Sequence, residues 1–147
     1  MAKRYASVSW RGALFGGEGT IDASGSGALP VLPISWASRA ESSDGKTSPE
    51  ELIAAAHASC FAMAFSLLLA EGGTPAEELY VRAAVTFVPS TGITRSELEV
   101  SGRVPGIREE AFAAKAEQAK VNCPVSQALR GLETTLSAKL LTTAAAA

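Results

Sequence analysis

The chain of 147 residues has a single histidine, His57, and two cysteines, Cys60 and Cys123, set far apart. It has no C-x-x-C or H-x-x-x-H spacing, so nothing begins a zinc site, and no metal or other cofactor is expected. An excess of one charge is also missing. Thirteen Lys and Arg stand against 15 Asp and Glu, for a formal net charge of -2, and the basic residues are scattered. Without a basic stripe to track a phosphate backbone, nucleic acid is not an expected partner. The opening residues, Met1 to Trp10, turn polar before the apolar core of an export signal could form, so a cytoplasmic location is expected. Thiols rest reduced in that compartment, which leaves two roles for the cysteines: inert core residues or redox chemistry.

What is present fits a globular chain, with 47% hydrophobic and 19% charged residues. The length suits one core, and residues 1-147 are read as a single domain. Arg4 to Trp10 alternates as a strand, residues 15-19 turn, and Thr20 to Ala23 begins a second strand. Pro30 and Pro33 make Leu29 to Trp36 an edge strand or extended segment. Ser38 to Thr47, which carries Arg39, reads as a polar loop. Further on, Leu79 to Val88 reads as a buried strand, and Ile93 to Val104 as a long strand with Leu98, Val100 and Val104 on one face. Glu109 to Lys120 forms an amphipathic helix with Phe112 and alanines inside. Cys123-Pro124 opens a short helix ending near Arg130-Gly131, and Leu136, Ala138 and Leu140 alternate in a last strand. Thr142, Thr143 and the four final alanines are expected to fray. The order is α+β, with sheet segregated from helices.

The strongest helix signal begins at Ser48-Pro49-Glu50-Glu51. Serine at the N-cap, proline at the first helical position and glutamate three after the cap make the capping-box pattern. The helix should run to about Glu71 and stop at Gly72-Gly73-Thr74-Pro75. Between Leu52 and Ala70 it contains no Asp, Glu, Lys or Arg. Such a helix is deeply buried or lies in a membrane. Burial is the better reading, because His57, Ser59, Cys60 and Ser66 interrupt the run and no aromatic belt or basic flank marks an interface. So small a domain cannot surround this helix alone, so a homodimer is expected.

Position alone does not decide what the candidate residues do. In an apolar helix, Cys60 fits an inert packing role better than a reactive one. Cys123 has the more active setting, since it caps a helix whose amides point at its sulfur. Arg39 by itself reads as a solvated charge, and Glu50 has structural work at a helix start. His57 lies one turn before Cys60 and is either a base for that thiol or a histidine packed on the core.

Two motifs carry a resemblance. The run from Ser38 to Gly73, S-R-A-E-S-S-D-G-K-T-S-P-E-E-L-I-A-A-A-H-A-S-C-F-A-M-A-F-S-L-L-L-A-E-G-G, resembles the osmotically inducible protein C family, relatives of the organic hydroperoxide resistance proteins. Ala119 to Leu129, A-K-V-N-C-P-V-S-Q-A-L, is similar to that family's second cysteine motif, and Pro105 to Ile107 fits between. Ser48, Ser59 and Ala40 depart from the usual residues, Ala40 standing where an aromatic often follows the arginine. The resemblance implies antiparallel sheets and an intertwined homodimer with two long central helices and two active sites at the subunit interface. It also implies reduction of organic hydroperoxides at the expense of an external dithiol. By motif, Cys60 is the attacking cysteine, Cys123 the resolving one, and Arg39 and Glu50 the charged pair beside the thiolate. His57 fits the osmotically inducible branch, where the other branch has tyrosine, which argues against an essential proton shuttle.

Physical chemistry gives each role a reason. A free cysteine of pKa ~8.5 is only slightly ionised at neutral pH, and burial makes it less so. A guanidinium reverses this and stabilises the departing oxygen. Glu50 would hold Arg39 through a bidentate pair. Ten residues of helix, however, put Glu50 and Cys60 roughly 15 Å apart along the axis. Each site is therefore expected to take Arg39 and Glu50 from one subunit and both cysteines from the other. Phe61, Met63 and Phe65 are candidate apolar walls for the substrate. A non-catalytic dimer that binds an apolar ligand and a redox sensor that hands its disulfide to a partner protein are the competing readings.

Overall fold

The structure, a computed structural model, describes residues 1-142. The expectation for the terminal alanines and Thr143 lies outside the described residues. The chain divides into two compact units, one of residues 1-52 with 87-92, the other of residues 53-86 with 93-147.

In the first unit, β1 (Ala6–Arg11), β2 (Glu18–Ser24) and β3 (Leu32–Ser35) form an antiparallel sheet in that order. Pro33 lies in the edge strand β3, where a missing amide is tolerated. Every residue of β1 is exposed, and Ile21 of β2 is the only hydrophobic side chain of this unit in the buried core. The segment expected to be a polar loop from Ser38 instead begins inside a short helix, α1 (Trp36–Ala40). The cause is a reciprocal cap between two serines: the Ser38 amide donates to Ser35 Oγ at 3.1 Å, and the Ser35 amide to Ser38 Oγ at 3.0 Å. A second serine does here what a glutamate does in the usual signature. Asp44 and Gly45 then turn with positive φ before the next helix.

That helix, α2 (Pro49–Glu71), starts and stops where expected. Ser48 Oγ accepts from the Glu51 amide at 3.2 Å, but the Glu51 carboxylate takes its bond from the Thr47 hydroxyl at 2.6 Å, so only half of the capping box closes. At the other end the Thr74 amide donates to Leu69 O and the Gly73 amide to Ala70 O, with Gly73 at φ 81°. This double bond closes the last turn, and its left-handed residue has to lack a Cβ.

Most of α2 belongs to the second unit, with β4 (Glu78–Val88), β5 (Gly92–Arg103), α3 (Glu109–Asn122), α4 (Pro124–Ala128) and β6 (Glu133–Leu140). The sheet order is β4-β5-β6, and β6 runs parallel to β5, from Arg95 opposite Glu133 to Gly102 opposite Leu140. This corrects the antiparallel expectation for one pair, because a connection through two helices lets a strand return in the same direction. Strand β4 is half-buried, not buried: Leu79, Val81 and Ala83 turn inward while Tyr80 and Arg82 stay exposed. Ser96, Leu98, Val100 and Gly102 of β5 face the core, where Phe112, Ala116 and Ala119 of α3 meet them. A Cβ on Gly102 would come within 2.6 Å of Leu79 Cδ2, so glycine permits this close packing.

By length and composition, α2 could cross a membrane. One of its stripes, His57, Phe61, Phe65 and Leu69, is wholly buried in the core of its unit. Phe61 and Phe65 pack at 5.7 Å and Phe65 and Phe112 at 5.0 Å between ring centroids. Each such side chain contributes about 1.5–3 kcal/mol through burial. The opposite stripe, with Met63, Ser66, Leu67 and Ala70, is exposed, and Met63 is 72% exposed.

Candidate active site

Two pairs of candidate residues come together, one in each unit. In the second, Cys60 at the middle of α2 meets Cys123 at the junction of α3 and α4, and both are free thiols. Cys123 ends one helix and begins the next: its amide donates to Ala119 O at 2.8 Å, and Pro124 opens α4. Cys123 is buried, while Cys60 is partly accessible.

Burial pushes the Cys60 thiol up, and the neighbouring Cys123 sulfur adds to the rise against the opposing Val125 amide. Burial also acts upward on Cys123, but there it is outweighed. The Ser126 amide, the Cys60 thiol, the Ser126 hydroxyl and the Val125 amide together hold Cys123 below its ordinary value. These amides are turned toward the sulfur at the start of α4 without closing a capping hydrogen bond. Among the described residues, the groups that act on Cys60 do not include the cation expected to lower it.

In the first unit, Arg39 at the last turn of α1 meets Glu50 in the first turn of α2. Arg39 Nε and Nη2 donate to Glu50 Oε1 at 2.9 and 2.8 Å. Both bonds fall on one oxygen, so the expected two-oxygen fork does not form. Glu50 Oε2 is buried and has no hydrogen-bond partner among the described residues. The guanidinium also lies over the Phe87 ring, 4.2 Å from its centroid. Trp36 packs edge-on against Phe87 at 5.8 Å and Phe15 edge-on against Trp36 at 5.6 Å. The aromatic support missing at Ala40 thus comes from Phe87, which sequence reasoning did not single out. Its signal was available, since Phe87 continues the inward alternation of β4.

His57 is wholly buried and bonded at both ring nitrogens, Nδ1 to Ser96 Oγ at 2.7 Å and Nε2 to Ser126 Oγ at 2.8 Å. Burial holds its pKa below the ordinary 6.5. Both serines were missed, although Ser96 shares the inward register of Leu98 and Val100. Phe61 and Phe65 do not serve as substrate walls within the chain, because they are sealed in the core, and Met63 points away on the exposed stripe.

Residues 42–137 match the family model for OsmC-like protein. The chain belongs to the OsmC-like family. It is 40% identical over 134 residues to a protein named peroxiredoxin OsmC from Escherichia coli K12, covering 89% of this chain and 92% of the relative. The fold matches a solved structure of an organic hydroperoxide resistance protein OsmC from Legionella pneumophila, with TM-score 0.63, 21% identity, and 93% of this chain and 97% of that chain covered. It also matches the organic hydroperoxide resistance protein OhrB of Bacillus subtilis, with TM-score 0.61, 25% identity, and 92% and 98% covered. The second motif and residues 42–73 of the first lie within the matched span, which begins just after Arg39.

Proposed function

We propose that this protein is a cytoplasmic, homodimeric thiol peroxidase that reduces organic hydroperoxides to alcohols in oxidative-stress defence. The observation that carries the proposal is the meeting of two free thiols, distant in sequence, on a partly open helix face and a buried helix start. The names of the relatives support the peroxide substrate class, and the organic hydroperoxide resistance proteins support its organic character.

The Cys60 thiolate attacks one peroxide oxygen, the O–O bond breaks, and the alkoxide leaves and takes a proton to become the alcohol. Cys60 is then a sulfenic acid. Cys123 attacks that sulfur, a disulfide forms and water departs. An external dithiol restores both thiols. In each site Arg39 and Glu50 of one subunit lie beside the cysteines of the other. Three features support this arrangement: the exposed apolar stripe of α2, the fully exposed strand β1, and the orphaned Glu50 oxygen, which lacks a donor among the described residues. A guanidinium supplied in this way would lower the Cys60 pKa against the upward push of burial.

The test is thiol counting with one equivalent of cumene hydroperoxide per chain, followed by turnover with an added dithiol. Loss of both thiols together, a Cys60–Cys123 disulfide by mass spectrometry, and repeated turnover are expected. Thiols that persist in the presence of peroxide would refute the reading.

A further inference from the structure

The buried histidine is not used by that chemistry, yet both of its ring nitrogens are bonded to buried or part-buried serines. Its two hydrogen bonds join three elements: Ser96 on β5, His57 on α2 and Ser126 on α4. Burial lowers its pKa below the ordinary 6.5, so it is a neutral imidazole at pH 7. A neutral imidazole has one donor nitrogen and one acceptor nitrogen.

The two serines are not equivalent. Ser126 is the third residue of α4, the position from which a side chain reaches back to the N-cap residue, here Cys123, and its amide and hydroxyl both favour the ionised form of that thiol. To stabilise that sulfur as thiolate, the Ser126 hydroxyl has to donate to it, and its oxygen is then free only to accept from His57. That assigns the proton to Nε2. Nδ1 must then accept, and Ser96, whose hydroxyl has no other hydrogen-bond partner among the described residues, donates to it. One arrangement of protons satisfies the whole chain: Ser96 to His57, His57 to Ser126, Ser126 to Cys123.

We propose that His57 is a positioning residue: by donating from Nε2 to Ser126 Oγ, it turns the Ser126 hydroxyl toward Cys123 and readies that cysteine to attack oxidised Cys60. The step it serves rests on the peroxidase reading. In that step Cys123 gives up its proton and its sulfur electron pair forms the S–S bond. The S–O bond of Cys60 breaks, and the departing hydroxide becomes water with one proton. No outside oxidant or reductant is needed.

The test uses the full chain with Cys60→Ser, so that neither readout needs peroxidase activity. Because His57 is the only histidine, its ¹⁵N resonances are unambiguous. Protonated Nε2 with bare Nδ1 is expected, and the opposite tautomer would overturn the proposal. The rate of Cys123 alkylation by iodoacetamide is then followed against pH. Ser126→Ala should move the profile to higher pH and slow alkylation at pH 7 by roughly 10- to 150-fold, the worth of one hydrogen bond to a charged group. Ser126→Thr should restore it, and His57→Leu should match the alanine variant if it folds. An unchanged profile in Ser126→Ala would refute the assignment even if peroxide turnover in the unaltered protein is normal. Absence of turnover alongside a shifted profile would instead count against the peroxidase reading and leave the wiring intact.

Discussion

The two units differ most in how far each is finished by its own chain. Around the thiols, aromatic and aliphatic side chains from α2, β5 and α3 close a core in which Phe61, Phe65, Leu69 and Phe112 are fully buried. Around Arg39 and Glu50 there is a thin sheet with one strand exposed throughout, and a carboxylate oxygen left without a donor among the described residues. The contrast separates two tasks. Holding two sulfurs together needs only dense packing, whereas the charged pair sits in a unit whose sheet is largely open to solvent.

This contrast can be broken most sharply at the thiols. Cys60→Ser should reduce hydroperoxide consumption to the uncatalysed background in a steady-state assay, with the fold intact by circular dichroism. Arg39→Ala should lower kcat/KM by roughly 10²- to 10³-fold, as expected when a charge-stabilising group is removed, and should also lower the melting temperature, because the buried Glu50 carboxylate loses its partner. Arg39→Ala combined with Glu50→Gln should recover much of the melting temperature but not the activity; recovery of both would make the charged pair structural.

A comparison within α2 tests the packing half. Phe65→Ala should cost about 3–5 kcal/mol in denaturant unfolding, because the cavity opens inside a closed core. Met63→Glu on the opposite stripe should leave the lone chain's core untouched and instead weaken self-association, read by analytical ultracentrifugation. The smallest effect concerns pH. His57 sits below its ordinary 6.5, so the unfolded chain takes up that proton first, and this part of the stability is complete above about pH 6.5 and declines as pH falls. Denaturant midpoints between pH 5 and 7 should show the slope, and His57→Gln should flatten it.

The long helix was legible in the sequence because its signals agree: a cap, a proline, a charge-free run and a double glycine stop. The cysteines were legible as chemistry only through their motifs, since position alone favoured an inert Cys60. What escaped depends on distant or reciprocal partners. The Ser35–Ser38 cap hides in an ordinary serine spacing, so Arg39 was placed in a loop when it sits on a helix turn. The aromatic beneath Arg39 comes from Phe87, far along the chain, and no local pattern links them. The parallel pairing of β6 follows from where two helices deliver the strand, which alternation does not encode. Ser96 and Ser126 are common residues that acquire meaning only when His57 is found between them.

The most direct test of the central claim, that one subunit lends its charge to the other's thiol, is to unfold and refold an equal mixture of Cys60→Ser and Arg39→Ala chains. Random pairing should make about half of the dimers mixed, each with one complete site, and restore about a quarter of the unaltered activity from two nearly inactive parents. Activity that stays at the level of the parents, in a mixture shown by mass spectrometry to contain the mixed dimer, would contradict it.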